Sequence, residues 1–182
     1  MKKLVIICCL LCCCLYGVAQ NIQSCRNVMF RFYSSAPLED IEAKTTQGVS
    51  AINTNTKAIY FKVPINTFQF KKKLMQEHFN ENYLESDKYP HAEFKGKVLE
   101  NPDLTKDGVY PVTVEGSLQI HGVTKTYKEQ GTLTVQNGKL SASAKFNVRV
   151  ADHKIKIPSL VVKNIAEVVE VTVEAAYQPA NQ

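Results

Sequence analysis

Alternation of apolar and polar residues with a period of two is the feature that most constrains this chain. In the stretch 112–120 every even-numbered residue is apolar or glycine, whereas polar side chains such as Glu115 and Gln119 occupy the odd positions. The same alternation marks 59–65, 94–98, 140–150 and 169–175, and a shorter one surrounds Phe30 and Phe32. Strands with one dry and one wet face are typical of antiparallel sheets. Because closure removes exposed edges, the pattern predicts an all-β, closed antiparallel barrel.

Turn residues separate these strands. Asn137-Gly138 predicts a tight hairpin, since a type I′ turn requires positive φ at both central residues. Asp107-Gly108 predicts a second turn, and Gly131 is expected to open a strand over Thr132–Gln136.

One segment breaks the β pattern. Few β-branched residues stand between Thr67 and Leu84, which predicts a helix over about Phe70–Phe79. Pro90 disfavours helix in the residue before it, so the chain is expected to re-enter a strand at His91.

The first nineteen residues have the composition of an export signal. Two lysines precede an apolar, cysteine-rich run from Leu4 to Leu15, and Gly17 and Ala19 suit cleavage before Gln20. The run is too short to span a bilayer, which needs about 20 apolar residues. Its cysteines lack the small preceding residue that lipid attachment requires. We therefore expect 1–19 to be a cleaved signal peptide and 20–182 to form one domain in the periplasm or otherwise outside the cytoplasm.

Cysteine content and charge argue against a disulfide-stabilised domain and against a nucleic-acid-binding protein. Removal of 1–19 leaves Cys25 as the one cysteine, so no intramolecular disulfide is possible. Cys25 is expected to be either a small buried hydrophobe or an inert thiol near the new N-terminus. The cleaved chain also loses two lysines from a net charge of +5. A balance so mild and evenly spread argues against nucleic acid as a partner.

The four histidines form no recognisable metal or catalytic motif. None stands in an HxH or HExxH spacing, and the chain contains no nucleophile elbow, P-loop or dinucleotide fingerprint. By alternation His121 is expected to point outward, and His153 beside Asp152 is expected to form a polar pair in a loop. We therefore predict no metal, no catalytic residues and no enzymatic activity.

Several motifs, in this order, resemble those of the YceI-like domain family. They are Phe61–Phe68 (FKVPINTF), His78-Phe79, Ser86–Pro90 (SDKYP), Gly116–Lys125 (GSLQIHGVTK) and Phe146–Val148 followed by Ile157-Pro158. The resemblance covers about Met29 to Tyr177, and Gln76–Tyr83 is similar to the branch found in Bacteroidetes-type bacteria. It implies a lipocalin-like antiparallel β-barrel with a short helical insertion, located in the periplasm and often a homodimer. It also implies an apolar tunnel that takes a polyisoprenoid chain. Apart from that chain we expect no cofactor, and we expect no stable membrane span.

The alternation of inward and outward strand positions, which we call parity, then selects the residues expected to contact such a ligand. A register slip of one residue would turn Lys62, Glu93 and Glu115 inward, and isolated buried charges are very costly. The expected ligand wall is Phe30, Phe32, Phe61, Val63, Phe94, Val114, Leu118, Ala142, Ala144, Phe146, Val148, Val171 and Val173. Phe68, Leu74 and Phe79 of the helical insertion are expected to cap one end.

Small residues on the dry faces allow two interpretations. Gly96, Gly116, Ala142, Ala144 and Ala175 serve either close approach and bending of strands or space for a ligand.

The leading hypothesis is an exported protein that holds a polyprenyl or quinone-type chain in a barrel tunnel. One alternative is a hydrolase or isomerase acting on a lipid head group through His121, His153 and Asp152. The other is an interaction protein without ligand, its barrel filled by Phe30, Phe32, Phe61, Phe94 and Phe146.

Overall fold

The computed structural model describes residues 21–35, 40–157 and 167–179. The strands are β1 (Ile22–Ser34), β2 (Ile41–Asn53), β3 (Ala58–Pro64), β4 (Gln69–Phe70), β5 (His91–Val98), β6 (Gly108–Ile120), β7 (Val123–Gln136), β8 (Lys139–Arg149), β9 (Val168–Ala176) and β10 (Gln178–Pro179). The helical elements are a 3₁₀ turn at Ile65–Thr67, the helix α1 (Lys73–His78), a π-helical turn at Phe79–Tyr83 and a 3₁₀ turn at Val150–His153.

Eight of the strands pair antiparallel in a closed ring. The order is β1-β9-β8-β7-β6-β5-β3-β2, and the pairing of β2 with β1 completes the circle. The two-residue strands β4 and β10 extend β2 and β1 at the margins. The prediction of an all-β, lipocalin-like barrel with a short helical insertion is confirmed. The helix begins three residues later than predicted, and the π-helical turn continues it to Tyr83.

The pairing of β1 with β2 contains two irregularities. Between Cys25 and Val28 the extra residue lies on β1, whereas between Val28 and Phe30 it lies on β2, whose partners there are Gly48 and Thr45. A bulge of one residue reverses the face to which the following residues point. The alternation predicts no strand over 41–53, and the bulge in β2 is one reason, because the buried positions change from odd to even numbers along the strand.

The predicted turns have mixed outcomes. Asn137 and Gly138 adopt φ of 51° and 70°, which confirms the tight hairpin between β7 and β8. Asp107 and Gly108 form no tight turn: a long connection over 99–107 joins β5 to β6, and the Asp107 carboxylate accepts hydrogen bonds from the amides of Asn137 and Gly138. Gly131 does not open a strand, since it lies within β7.

Close packing fills one end of the barrel, which we call the packed end. Its buried side chains are Cys25, Ile52, Ile59, Val98, Val112, Leu133, Val135, Leu140, Ala175 and Tyr177. Burial of Cys25 confirms its predicted role as a small hydrophobe. The Ser50 hydroxyl lies 2.8 Å from both the Tyr60 carbonyl and the Tyr177 hydroxyl, so the buried polar groups satisfy one another. Burial raises the pKa of Tyr177, which therefore stays neutral.

Glycines allow aromatic rings to pack directly against the backbone of the sheet. A Cβ on Gly48 would lie 2.3 Å from the Phe30 ring, and one on Gly96 would lie 2.6 Å from the Phe94 ring. Gly116 pairs with Gly96 in the ladder, and its Cβ would lie 2.3 Å from the Lys95 carbonyl oxygen. Gly96 and Gly116 therefore serve close approach and do not leave space for a ligand.

A polar junction fastens the other end of the barrel, which we call the cap end. Both ring nitrogens of His121 face acceptors, the Glu85 carboxylate at 2.6 Å and the His153 carbonyl at 3.2 Å. Glu85 follows the π-helical turn, so this contact ties the helical insertion to the hairpin between β6 and β7. The His121 side chain is only 12% exposed, because its ring packs on Tyr89 and contacts Glu85, so it is covered and not free in solvent as an outward position implies.

His153 is fully buried beside this junction and is not the polar loop partner of Asp152 that the sequence predicts. Its Nδ1 donates to the Val123 carbonyl at 3.0 Å, and its Nε2 then accepts from the Tyr127 hydroxyl at 3.1 Å. These are the bonds of a neutral imidazole. Burial lowers the pKa of His153 below its usual 6.5.

The folded state should therefore be less stable in mild acid. Unfolded His153 takes up a proton as the pH falls below 6.5 while the folded group stays neutral, so its contribution to the free energy of unfolding decreases there and is constant above that pH. We expect urea denaturation between pH 5 and 8 to show this decrease, and His153→Gln to reduce it. An equal pH dependence in the variant would contradict the assignment.

Candidate ligand-binding cavity

A cavity of about 520 Å³ occupies the cap end of the barrel. Its wall consists of Phe30, Arg31, Phe32, Ser34, Ile41, Val63, Ile65, Phe68, Phe70, Met75, His78, Phe79, Tyr83, Leu84, Ala92, Leu118, Ile120, Phe146, Val148, Val150, Ile155, Ile157, Val169 and Val171. The strands contribute the residues nearest the cap end, where β1, β3, β6 and β8 finish and β2, β5 and β9 begin. We call this space the main cavity. Its volume falls in the range of about 300–1,000 Å³ typical of ligand sites.

The helical insertion covers the main cavity with an aromatic cluster. The Phe79 ring lies 5.4 Å from Phe32, 5.7 Å from Phe68 and 5.0 Å from Phe70, measured between ring centroids. Such contacts add about 0.5–1.5 kcal/mol per pair to the effect of burial alone. Phe32 comes from β1, so the cluster joins the insertion to the barrel wall.

Polar groups at the main cavity are few and lie at the cap end. The Arg31 guanidinium Nε donates to the Glu42 carboxylate at 2.7 Å, which compensates its charge. His78 and Tyr83 come from the insertion, and burial raises the pKa of Tyr83. Apart from Ser34, the rest of the wall is apolar, so the cavity offers an apolar chain a dry environment and a head group a polar one at the cap end.

A smaller space of about 100 Å³, the side pocket, adjoins the main cavity. Its lining residues are Phe30, Phe61, Val63, Ala92, Glu93, Phe94, Val114, Leu118, Tyr127, Glu129, Gln130, Ala144, Phe146 and Val173. Five of them also line the main cavity: Phe30, Val63, Ala92, Leu118 and Phe146. We call these five the waist.

Most of the predicted wall residues lie at one of these two spaces. Phe30, Phe32, Val63, Leu118, Phe146, Val148 and Val171 line the main cavity, as do Phe68 and Phe79 of the insertion. Phe61, Phe94, Val114, Ala144 and Val173 line the side pocket. The structure thus brings together the residues that parity selects, and their contact with a ligand stays a prediction.

Two predicted residues lie elsewhere. Leu74 is 61% exposed, because Met75, His78 and Phe79 form the face of the insertion that points to the cavity and Leu74 lies about a quarter-turn away. Ala142 packs against the core of the packed end, where it pairs with Leu133 and Ala175. Neither lines the main cavity or the side pocket.

The alternation contained a signal for some wall residues missing from the prediction. Ile120, Val150 and Val169 continue the dry faces of Leu118, Val148 and Val171 by one step each. Ile155 and Ile157 also alternate, but they lie beyond the end of β8. Ile41 lies in β2, for which no strand is predicted.

This geometry gives little support to the alternatives to lipid binding. The His121–Glu85 pair has the distance of an acid–base pair, but neither residue lines the main cavity or the side pocket. Within the described residues no group of three or more His, Cys, Asp or Glu side chains could hold a metal ion. The main cavity disfavours a filled barrel, because the phenylalanines proposed to fill it line its wall or the side pocket instead.

Solved structures with similar folds include three bacterial proteins. A polyisoprenoid-binding domain from Saccharophagus degradans has a TM-score of 0.75 at 13% identity, covering 88% of this chain and 99% of that one. BcnA of Burkholderia cenocepacia has a TM-score of 0.68 at 10% identity, covering 83% and 96%. The YceI protein of Campylobacter jejuni has a TM-score of 0.51 at 14% identity, covering 81% of each chain. At these identities the likeness establishes the fold.

No curated protein matches the chain. In the part of the chain that the structure describes, every helix is too short or too polar to cross a bilayer. The model of the YceI-like domain family matches residues 22–177, which include every described strand from β1 to β9. This protein belongs to the YceI-like domain family.

Proposed function

We propose that this protein binds the apolar chain of an isoprenoid lipid in the main cavity, without catalysing a reaction on it. The observation that carries the proposal is the cavity itself, about 520 Å³ of almost wholly apolar space bordered by the aromatic cluster. The structural likeness to a polyisoprenoid-binding domain supports the same ligand class.

The energetics favour a chain over a compact polar ligand. Burying a CH₂ group is worth about 0.8 kcal/mol, so one five-carbon isoprene unit contributes about 4 kcal/mol. Association costs roughly 4–15 kcal/mol in lost freedom, and a few units offset that. The ion pair of the wall residue Arg31 with Glu42, which is not a wall residue, is partly exposed and contributes at most about 1 kcal/mol. Affinity therefore depends on how much chain the cavity accepts.

Export is part of the proposal. The three-part composition of residues 1–19 supports cleavage after Ala19 and delivery to the periplasm. Folding without a disulfide is compatible with either redox environment, because Cys25 is buried. A homodimer stays a prediction.

Solvent extraction of the purified protein, followed by mass spectrometry, tests the ligand class. We expect a prenyl lipid in amounts comparable to the protein, and N-terminal sequencing of the exported protein should begin at Gln20. Recovery of no long-chain lipid, together with no binding of added farnesol, would contradict the proposal.

Enlarging one wall residue should displace ligand without unfolding the barrel. Val148→Phe adds a ring inside the main cavity, whereas Asn147→Phe adds it to the outer face of the same strand. Displacing two of the five carbons of an isoprene unit removes about 1.6 kcal/mol, so we expect Val148→Phe to weaken farnesol binding at least tenfold. The Asn147→Phe control should bind as the original protein does. Equal affinities of the two variants, measured by displacement of a fluorescent apolar probe, would argue against this site.

Loosening the insertion should accelerate ligand release. Glu85→Ala removes the 2.6 Å contact with His121 that fastens the insertion to the β6–β7 hairpin. Glu81→Ala is the matched control, an exposed carboxylate on the π-helical turn. We expect stopped-flow dissociation of farnesol to be several-fold faster in Glu85→Ala alone. If both variants release farnesol at the original rate, the insertion does not control access to the cavity.

A further inference from the structure

The barrel is closed by hydrogen bonds along only part of the β7–β8 boundary. Pairing of these two strands runs from their hairpin to Gly131 and Ala144 and stops there. Beyond that point β7 remains paired with β6 as far as Val123, and β8 remains paired with β9 as far as Arg149. The two strands therefore diverge over 123–130 and 145–149. We call this divergence the seam.

The side pocket lies at the seam. Tyr127, Glu129 and Gln130 of β7 form one margin of the pocket, and Ala144 and Phe146 of β8 form the other. The buried His153 occupies the part of the seam nearest the cap end, where it bonds to Val123 and Tyr127. The pocket is therefore bounded by His153 on one side and by the last paired residues, Gly131 and Ala144, on the other.

The distribution of polar and apolar wall residues predicts the orientation of the ligand in the main cavity. The polar side chains His78 and Tyr83 come from the helical insertion at the cap end, so a lipid head group is best placed there. The tail then points toward the waist, whose five residues are all apolar and shared with the side pocket. Below the waist, buried side chains fill the packed end. In the part of the chain that the structure describes, the seam is therefore the route by which a tail could continue beyond the main cavity.

On these grounds we propose that the side pocket and seam form an outlet for the tail of a polyisoprenoid longer than the main cavity, beside Gln130. The inference rests on the proposed function and adds the ligand class: long-chain lipids, with Ala144 and Phe146 determining how much chain passes. Glu129 and Gln130 at the margin are compatible with a tail that leaves the barrel, because their polar ends keep contact with water while their aliphatic stems face the chain.

A fluorescent reporter at the seam tests the path without altering the cavity. In a Cys25→Ala background, Gln130→Cys carries an environment-sensitive thiol label at the exposed margin of the seam. The control label is at Lys139→Cys, on the exposed hairpin at the far end of β8. The probes are farnesol, with three isoprene units, and solanesol, with nine. We expect solanesol alone to shift the emission of the label at 130, and neither alcohol to shift the label at 139.

A variant that fills the side pocket provides the second measurement. Ala144→Phe should lower solanesol affinity at least tenfold and leave farnesol affinity within twofold. If solanesol binds but affects the label at 130 no more than farnesol does, and Ala144→Phe weakens both equally, the outlet is overturned while the proposed function survives. If the original protein binds neither alcohol, the proposed function fails and the outlet fails with it.

Discussion

The pairing of β1 with β2 is the interaction on which the rest of the structure depends. The other seven contacts between neighbouring strands would leave an open sheet with two exposed edges, and this pairing joins those edges. Its two bulges also divide both strands at their middle, because bulges bend a strand and increase its twist. On one side of the division Cys25 and Ile52 point into the packed end, and on the other Phe32 and Ile41 point into the main cavity. Closure and the division into a filled and a hollow half thus arise in the same place.

The same bulges explain which parts of the fold the sequence predicts. In β6, β8 and β9 a dry face continues without interruption, and alternation identifies strand and inward face together. In β2 the inward positions are Ile41, Ala43 and Thr45 before the bulge and Gly48, Ser50 and Ile52 after it. Half of these six are polar or glycine, and their parity changes midway, so no periodic signal survives. Tertiary partners stabilise this strand: Thr45 with Thr67, and Ser50 with Tyr177.

The candidate site likewise contains residues that the sequence predicts and residues that it does not. Parity predicts the wall wherever a strand is regular, but it cannot predict how a six-residue helix is rotated, which is why Met75 and not Leu74 faces the cavity. A sequence pattern in β7 does indicate the seam. Residues 123–130 (VTKTYKEQ) carry polar side chains at both parities, and Lys125 and Glu129 stand opposite Leu118 and Val114 on the inward side of the ladder. A long strand without a dry face is one that does not cover a core along its whole length.

A hollow half has a cost that the packed half must offset. Without a bound chain, an apolar cavity would deprive its lining of dispersion contacts, and lining residues such as Val148 and Leu118 would lose part of the stabilisation that full packing gives. The packed end compensates with dense aliphatic contacts and a buried hydroxyl pair, Ser50 with Tyr177, that leaves neither group unsatisfied. A chain bound in the main cavity would restore the missing contacts and stabilise the fold by about 2.7 kcal/mol at a free concentration one hundred times its dissociation constant. Stability and ligand affinity are therefore linked through the same wall residues, and a substitution that fills the cavity well should strengthen the fold as it weakens binding.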